Sequence, residues 1–312
     1  MWQRETFKKI KQIPGEEHVL PGTALCAGCG GLESLRLAAK VLGDDVIYVN
    51  AAGCFTMLAA YPYTSFKGSW LYTTMCSAPA GAQGVRDALD VLIAKGRLPK
   101  SENLKVVVLG GDGSSYDMAL SSTSGAMNRG LDFYYFCYDN EAYGNTGMQL
   151  SPATPYGART ATSPCSLQHP SGASQEKKDL FEIWRAHKPP YIATVAPRYP
   201  LDLEEKFARA AAFPGPKMFL ALAACPTGWL YDPAVTPEVA KLAVESGLWP
   251  LKEAINGVVT HTYIPKRKPV ESYLTLQGRF RHLFEPTVQT DTIQHIQARV
   301  DAYWVRATRE GT

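Results

Sequence analysis

Two groups of residues in this 312-residue chain could do chemistry. The first is Gly110-Gly111-Asp112-Gly113-Ser114-Ser115, continued at Asn140-Glu141-Ala142-Tyr143-Gly144-Asn145-Thr146-Gly147. The second is a set of cysteines: Cys26 and Cys29 in a glycine-packed Cys-x-x-Cys, Cys54 after Gly53, and Cys225 before Pro226. A carboxylate and an amide oxygen beside a phosphate cradle suit Mg²⁺, which keeps octahedral oxygen coordination and bridges to phosphates. Backbone N–H groups at a strand–turn–helix junction point at such a phosphate, and the helix dipole favours its charge. Two thiolates on a glycine-rich loop converge on one metal centre or cluster. Alone, Gly-Asp-Gly is a turn, and Cys-x-x-Cys is shared by redox pairs and zinc sites.

The surrounding pattern supplies the context that such motifs require. Residues 105–109 are apolar and β-branched, which predicts a buried parallel strand; 116–129 read as a helix, and 133–138 as a second strand ending at Asp139-Asn140. An ordinary right-handed crossover makes these strands neighbours and sets Asp112 and Asn140 together at their C-terminal ends. Upstream, 32–42 read as a helix closed by Gly43, 45–50 as the first strand and 80–96 as a long amphipathic helix. Downstream, 177–187, 191–196 and 202–212 continue helix, strand, helix, and the apolar run 218–222 leads to Cys225. Residues 237–246 and 292–307 are further helices, with a mixed tail over 250–285. The Pro-, Ser-, Thr- and Gly-rich segment 150–175 is too long for a plain linker and reads as a lid or subunit contact. The expected fold class is α/β, a mostly parallel sheet with helices on both faces.

Composition bounds the function classes. A hydrophobic content of 46% and a charged content of 20% are those of an ordinary globular protein. The net charge of +3 is spread along the chain and argues for neither nucleic acid nor membrane. The start is charged and lacks an apolar h-region, and no run suits a membrane span, so a cytoplasmic location is expected. Seven cysteines in a reducing cytosol are no disulfide framework. Cys137 falls in an apolar strand and reads as core, while Cys76 and Cys165 match no ligand position. The Cys26/Cys29 pair follows no strand, against a thioredoxin-like role, and Cys225-Pro226 at a strand end resembles iron–sulfur ligation. Zinc is the chemical alternative for four thiolates. His18, His169, His187, His261, His282 and His295 lack metal spacing, and Lys266-Arg267-Lys268 is a solvated face or a contact for an acidic electron carrier.

Asp112 within Gly-Asp-Gly, Asn140 and Asn145-Thr146-Gly147 together resemble the thiamine diphosphate motif. In that family Asp112, Asn140 and the carbonyl of Ala142 hold Mg²⁺, and Gly111, Asp112, Gly113 and Ser114 hold the diphosphate. With Cys26-Ala-Gly-Cys29, the Cys54 turn, Asp139-Asn-Glu-Ala-Tyr143, Thr154-Pro-Tyr-Gly157, Cys225-Pro-Thr-Gly-Trp229, Lys266-Arg-Lys-Pro-Val270 and Leu276-Gln-Gly-Arg-Phe280, the resemblance extends from about residue 20 to about residue 285. It is to the beta subunit of the 2-oxoacid:ferredoxin oxidoreductases, the pyruvate class in particular.

That resemblance implies a thiamine diphosphate-binding fold, with the α/β domain and cluster ligands in residues 1–235. Residues 236–312 would be a C-terminal extension packed on that domain or on partner subunits. Cys26, Cys29, Cys54 and Cys225 would hold the 4Fe-4S cluster nearest the thiamine. Gly31, Cys54, Tyr143 and Asn145 would lie against the cofactors, with Asn145 reaching substrate or aminopyrimidine. The reaction would be oxidative decarboxylation of a small 2-oxoacid, with electrons passed singly to ferredoxin. The glutamate that protonates the pyrimidine, the arginines that grip substrate and the onward clusters would come from alpha and gamma- or delta-type subunits.

Met75-Cys76-Ser77 stands where pyruvate-oxidising relatives carry a Phe-Glu-Asn-like stretch, between the fitting Tyr61-Pro-Tyr-Thr64 and Trp70 and the next helix. Losing a carboxylate there either favours dianionic oxalate, the substrate of another family member, or is neutral drift near a subunit contact. Two competing readings are a zinc-stabilised scaffold subunit and a non-redox thiamine decarboxylase subunit. The cysteine set speaks against the second.

Overall fold

The computed structural model describes residues 7–60, 62–100, 104–166 and 170–309. The first six residues of the charged start, Tyr61 and His169 lie outside the described residues. One eight-stranded sheet runs through the chain in the order β2-β1-β3-β4-β6-β5-β7-β8. Its strands are β1 (Val46–Ala51), β2 (Ser69–Thr73), β3 (Lys105–Gly111), β4 (Tyr134–Asp139), β5 (Tyr191–Val195), β6 (Lys217–Leu222), β7 (Leu251–Ile255) and β8 (Val258–Tyr263). β1 to β6 pair in parallel, whereas β7 and β8 join antiparallel.

Side chains on a strand alternate between faces, so a strand buried on both sides must be apolar throughout. β4 meets this requirement: Tyr135 and Cys137 enter one core, while Tyr134, Phe136 and Tyr138 enter the other. The first core is covered by α2 (Ala78–Ala94), α3 (Leu120–Asn128), α4 (Leu180–Ala186), α7 (Thr236–Glu245) and α9 (Thr290–Arg309). The second is covered by α1 (Gly30–Leu42) and α5 (Pro200–Ala210). Two one-turn helices, α6 (Pro226–Trp229) and α8 (Glu271–Leu274), follow β6 and β8. Among the described residues no helix is long and apolar enough to cross a membrane.

Beyond β2, which has no counterpart in the sequence reading, three local features differ from it. The helix expected from residue 116 starts with a π-helical turn, Ser114–Met118, before α3. The helix expected from Lys177 begins at Leu180, capped by the Asp179 side chain accepting from Glu182 N–H, because Lys177 is drawn into the site described below. The mixed tail contains the β7–β8 hairpin. Its turn residues Asn256 (φ 50°) and Gly257 (φ 84°) form the primed turn that matches strand twist.

A Cβ at position 257 would meet nothing within 4 Å, so only backbone conformation opposes a larger residue there. Gly257→Ala should therefore lower stability by about 1–2 kcal/mol, measured by urea denaturation.

Candidate functional site

β1, β3, β4 and β6 are consecutive in the sheet and parallel, so their C-terminal ends share one edge. Cys54, Asp112, Asn140 and Cys225 each follow one of these four strands. Register keeps them level: Gly111 pairs with Tyr138, and Asp139 with Leu222.

At the centre of this edge Asn140 turns its side-chain oxygen to within 2.7 Å of the Ala142 carbonyl oxygen and 2.8 Å of Asp112 Oδ1. Its amide nitrogen faces Cys54 Sγ at 3.8 Å. These three oxygens repel one another, and the one donor to the Asn140 oxygen, Ala142 N–H, lies 3.4 Å away. Rotating the amide would relieve this by letting nitrogen donate to both neighbours. A cation relieves it differently: Mg–O bonds of about 2.1 Å set adjacent ligand oxygens about 3 Å apart, so these donors fit Mg²⁺. Ser151 Oγ donates to Asp112 Oδ2 at 2.5 Å and leaves Oδ1 for this corner. Burial, with Asp139 adding to it, pushes the Asp112 carboxyl well above the usual range, so the corner is short of positive charge.

Beside the corner, glycines flank Asp112 on both sides, and Ser114 follows, its Oγ donating to the Met75 carbonyl at 2.6 Å. A Cβ on Gly113 would lie 2.2 Å from the Tyr143 ring, so glycine is required for that ring to cover the turn. Tyr143 is anchored by its hydroxyl, which donates to Asp117 at 2.7 Å.

The thiols flank the same edge. Gly30 N–H donates to the Ala224 carbonyl at 3.0 Å and ties the Cys-x-x-Cys loop to the end of β6. A Cβ on Gly30 would sit 2.8 Å from Ala224 N, so the loop could not approach with any other residue. Thr227 Oγ1 donates to Cys26 Sγ at 3.4 Å, and Gly228 N–H to Cys225 Sγ at 3.3 Å. Burial, followed by Cys225, Cys29, Asp112 and Cys26, pushes the Cys54 thiol up to about 12. Burial also raises Cys225, to about 11, and Cys29. Burial and their neighbours thus oppose ionisation of Cys29, Cys54 and Cys225, and thiolates there need a cationic centre.

Gly31 is buried in α1, where a Cβ would crowd Ala223 and Phe55; it packs the helix start rather than lining the edge. Asn145 is exposed on the turn after Gly144. Cys137 lies in the core and Cys76 is exposed. His18 pairs with Asp44 near Glu16, but Lys67 lies 3.2 Å from Glu16 and 3.6 Å from Asp44 and supplies that surface cluster's positive charge.

The motif pattern misses the buried ion network beneath the corner. Glu141, in left-handed conformation at φ 63°, accepts from Lys177 at 2.9 Å and Arg279 at 2.6 Å. Lys177 also reaches Asp139 at 2.8 Å. Arg279 stacks 3.9 Å from the Trp229 ring centroid, and Trp229 Nε1–H donates to the Asn140 carbonyl at 2.9 Å. The one available signal is a glutamate lodged between two candidate ligands. Its cationic partners come from 36 and 138 residues away and leave no local pattern.

Burial raises Glu141, but Lys177 and Arg279 outweigh it and hold the carboxyl below its ordinary value. A depressed carboxyl stabilises the fold above its unfolded value of about 4.3 and loses that contribution as pH falls through the folded value. Arg279→Met should cost about 3 kcal/mol at pH 7, with the difference from wild type shrinking below about pH 4. Denaturant titrations across pH measure it.

The family profile described as thiamine pyrophosphate enzyme, C-terminal TPP binding domain, matches residues 51–219. The chain is 42% identical to pyruvate synthase subunit PorB of Methanocaldococcus jannaschii, covering 94% of this chain and 97% of that one. It is 38% identical to ketoisovalerate oxidoreductase subunit VorB of Pyrococcus furiosus, covering 92% of each. In fold it is similar to a chain of 2-oxoglutarate:ferredoxin oxidoreductase from Magnetococcus marinus, at a TM-score of 0.54, 20% identity, 76% of this chain and 82% of that one. The thiamine-binding signature of its central strands and the near full-length match to these subunits place the chain in the beta-subunit family of the 2-oxoacid:ferredoxin oxidoreductases.

Proposed function

We propose that this chain is the thiamine diphosphate- and cluster-bearing subunit of a pyruvate-type 2-oxoacid:ferredoxin oxidoreductase. The observation that carries the reading is the three-oxygen corner of Asp112, Asn140 and Ala142, flanked on one sheet edge by Cys26, Cys29, Cys54 and Cys225. Asp112 Oδ1, Asn140 Oδ1 and the Ala142 carbonyl would clamp Mg²⁺, with the diphosphate along Gly111 to Ser114. Bound thiamine diphosphate would supply the carbon nucleophile and electron sink for decarboxylation, and a 4Fe-4S cluster a one-electron acceptor beside it.

The chain's own residues hold and shield. Ser151 fixes Asp112, and the Glu141–Lys177–Arg279 network fixes the strand end that carries Asn140 and Ala142. Tyr143 covers the turn and keeps water from it. Asn145, exposed on that turn, is the residue we assign to contact with substrate or the aminopyrimidine. A partner alpha subunit would supply the glutamate and arginines that complete the site, with ferredoxin as acceptor.

The pyruvate assignment follows the names of the PorB relatives. An oxalate reading rests on Met75-Cys76-Ser77 alone, and none of the PorB relatives' names supports it. A single tetrahedral zinc with bonds of about 2.3 Å would draw its sulfurs to about 3.8 Å from one another. Among the described residues no three of these sulfurs lie within 4.8 Å of one another, which suits a larger cluster.

Anaerobically purified protein should be brown, with about four irons and matching sulfide per chain. Cys225→Ser should lose most of that iron, whereas one zinc and no colour would refute the redox reading. Asp112→Asn should weaken Mg²⁺-dependent thiamine diphosphate binding at least about 10-fold in calorimetry. In the whole complex, pyruvate should reduce ferredoxin faster than 2-oxoglutarate, branched 2-oxoacids or oxalate; a faster rate with oxalate would reverse the substrate assignment.

A further inference from the structure

A cavity of about 720 Å³ lies behind the cofactor edge, enclosed by α4, α7, α8 and α9 over the sheet face that carries Thr194, Leu220 and Leu222. Its lining runs from exposed residues such as Glu176, His295 and Arg299 to buried Glu141 and half-buried Lys177. The catalytic reading makes no use of it.

The cavity wall carries five cationic side chains of Lys and Arg against three carboxylates, and those carboxylates are already engaged. Glu141 holds Lys177 and Arg279; Glu176 holds His295 at 2.6 Å and Arg299 at 3.6 Å; Asp179 caps α4. Lys252 is different. It is 5% exposed, and among the described residues its one carboxylate neighbour within 4.0 Å is Glu182, at 3.9 Å. Its ammonium lies between the rings of Phe181 (4.1 Å) and Tyr303 (5.2 Å). Burial holds its pKa below the ordinary value for lysine, against the attraction of Asp179 and then Glu182, neither of which makes a close ion pair with it. A buried cation with so distant a counter-charge is costly unless an anion comes to it.

Volume narrows the class. A lone phosphate or a benzoate would leave most of the space empty, whereas 720 Å³ suits a drug-sized ligand. Trp249 and Tyr303 offer aromatic surface; Trp249 spends its N–H on the Val195 carbonyl at 3.1 Å and has Lys177 Nζ 5.1 Å from its ring centroid, so a ligand ring would stack on the part of its surface that Lys177 leaves open. We propose that this cavity is a binding site for a nucleotide-sized aromatic anion, its negative group against Lys252 and its ring against Trp249 and Tyr303.

AMP is the probe, titrated into the full chain by calorimetry, with adenosine and inorganic phosphate as the two halves of the ligand. AMP should bind at least about 10-fold tighter than either half, and Lys252→Met should lose at least about 10-fold in AMP affinity while Lys252→Arg retains most of it. The thermal midpoint of Lys252→Met should not fall, since an apolar residue replaces a poorly paired buried charge. Absence of saturable AMP binding, equal binding by Lys252→Met, or equal binding of phosphate alone would overturn the proposal. So would displacement of AMP by saturating thiamine diphosphate and Mg²⁺, which would place it in the cofactor cradle. Because the readout is AMP binding, its failure would leave the family assignment standing.

Discussion

Four parallel strands lying side by side must all finish on one edge of their sheet, and here each of β1, β3, β4 and β6 is followed by a group that can bind metal. The middle of β4 and β6 leaves no room for charge there, since residues 134–138 and 218–222 are apolar into both cores. The edge is where the chain can leave regular hydrogen bonding and aim Asp112, Asn140, Cys54 and Cys225 at a common space. It concentrates one sign of charge there. Two buried carboxyls with raised pKa, Asp112 and Asp139, adjoin thiols that burial and mutual repulsion also keep protonated. Such a set is poorly suited to being left alone and well suited to cations.

The cationic side of this balance comes from within the chain. Lys177 bridges Asp139 and Glu141, and Arg279 joins Glu141 to Trp229, whose indole holds the Asn140 carbonyl. The oxygen corner and the Cys225 turn therefore rest on one connected unit: Trp229 lies in the one-turn helix that follows Cys225, while Asn140 faces both Asp112 and Cys54. Displacing Arg279 would disturb both flanks together. This explains why a residue near the end of the chain matters to a site built from its middle.

Much of this could be read from the chain's own letters. Alternating or continuous apolar runs marked β1, β3, β4 and β6 because buried parallel strands have few chemical options. Gly-Asp-Gly and Cys-x-x-Cys stood out because close backbone approach excludes every residue but glycine, as the 2.2 Å contact at Gly113 and the 2.8 Å contact at Gly30 show. The β7–β8 hairpin is also encoded, in Asn256-Gly257, but its half-exposed strand carries mixed residues that blur the alternation.

Spatial relations were another matter. The strand order that makes β4 and β6 neighbours, skipping β5, comes from packing helices on both faces and has no local signal. The same holds for the pairing of Glu141 with Lys177 and Arg279, and for the cavity in which Lys252 sits between Phe181 and Tyr303. Residue types and short spacings report what a segment can do chemically, because sterics and coordination act over a few bonds. Which segments meet, and which buried charge is left wanting a partner, depends on long-range packing, and that exists only once the chain has folded.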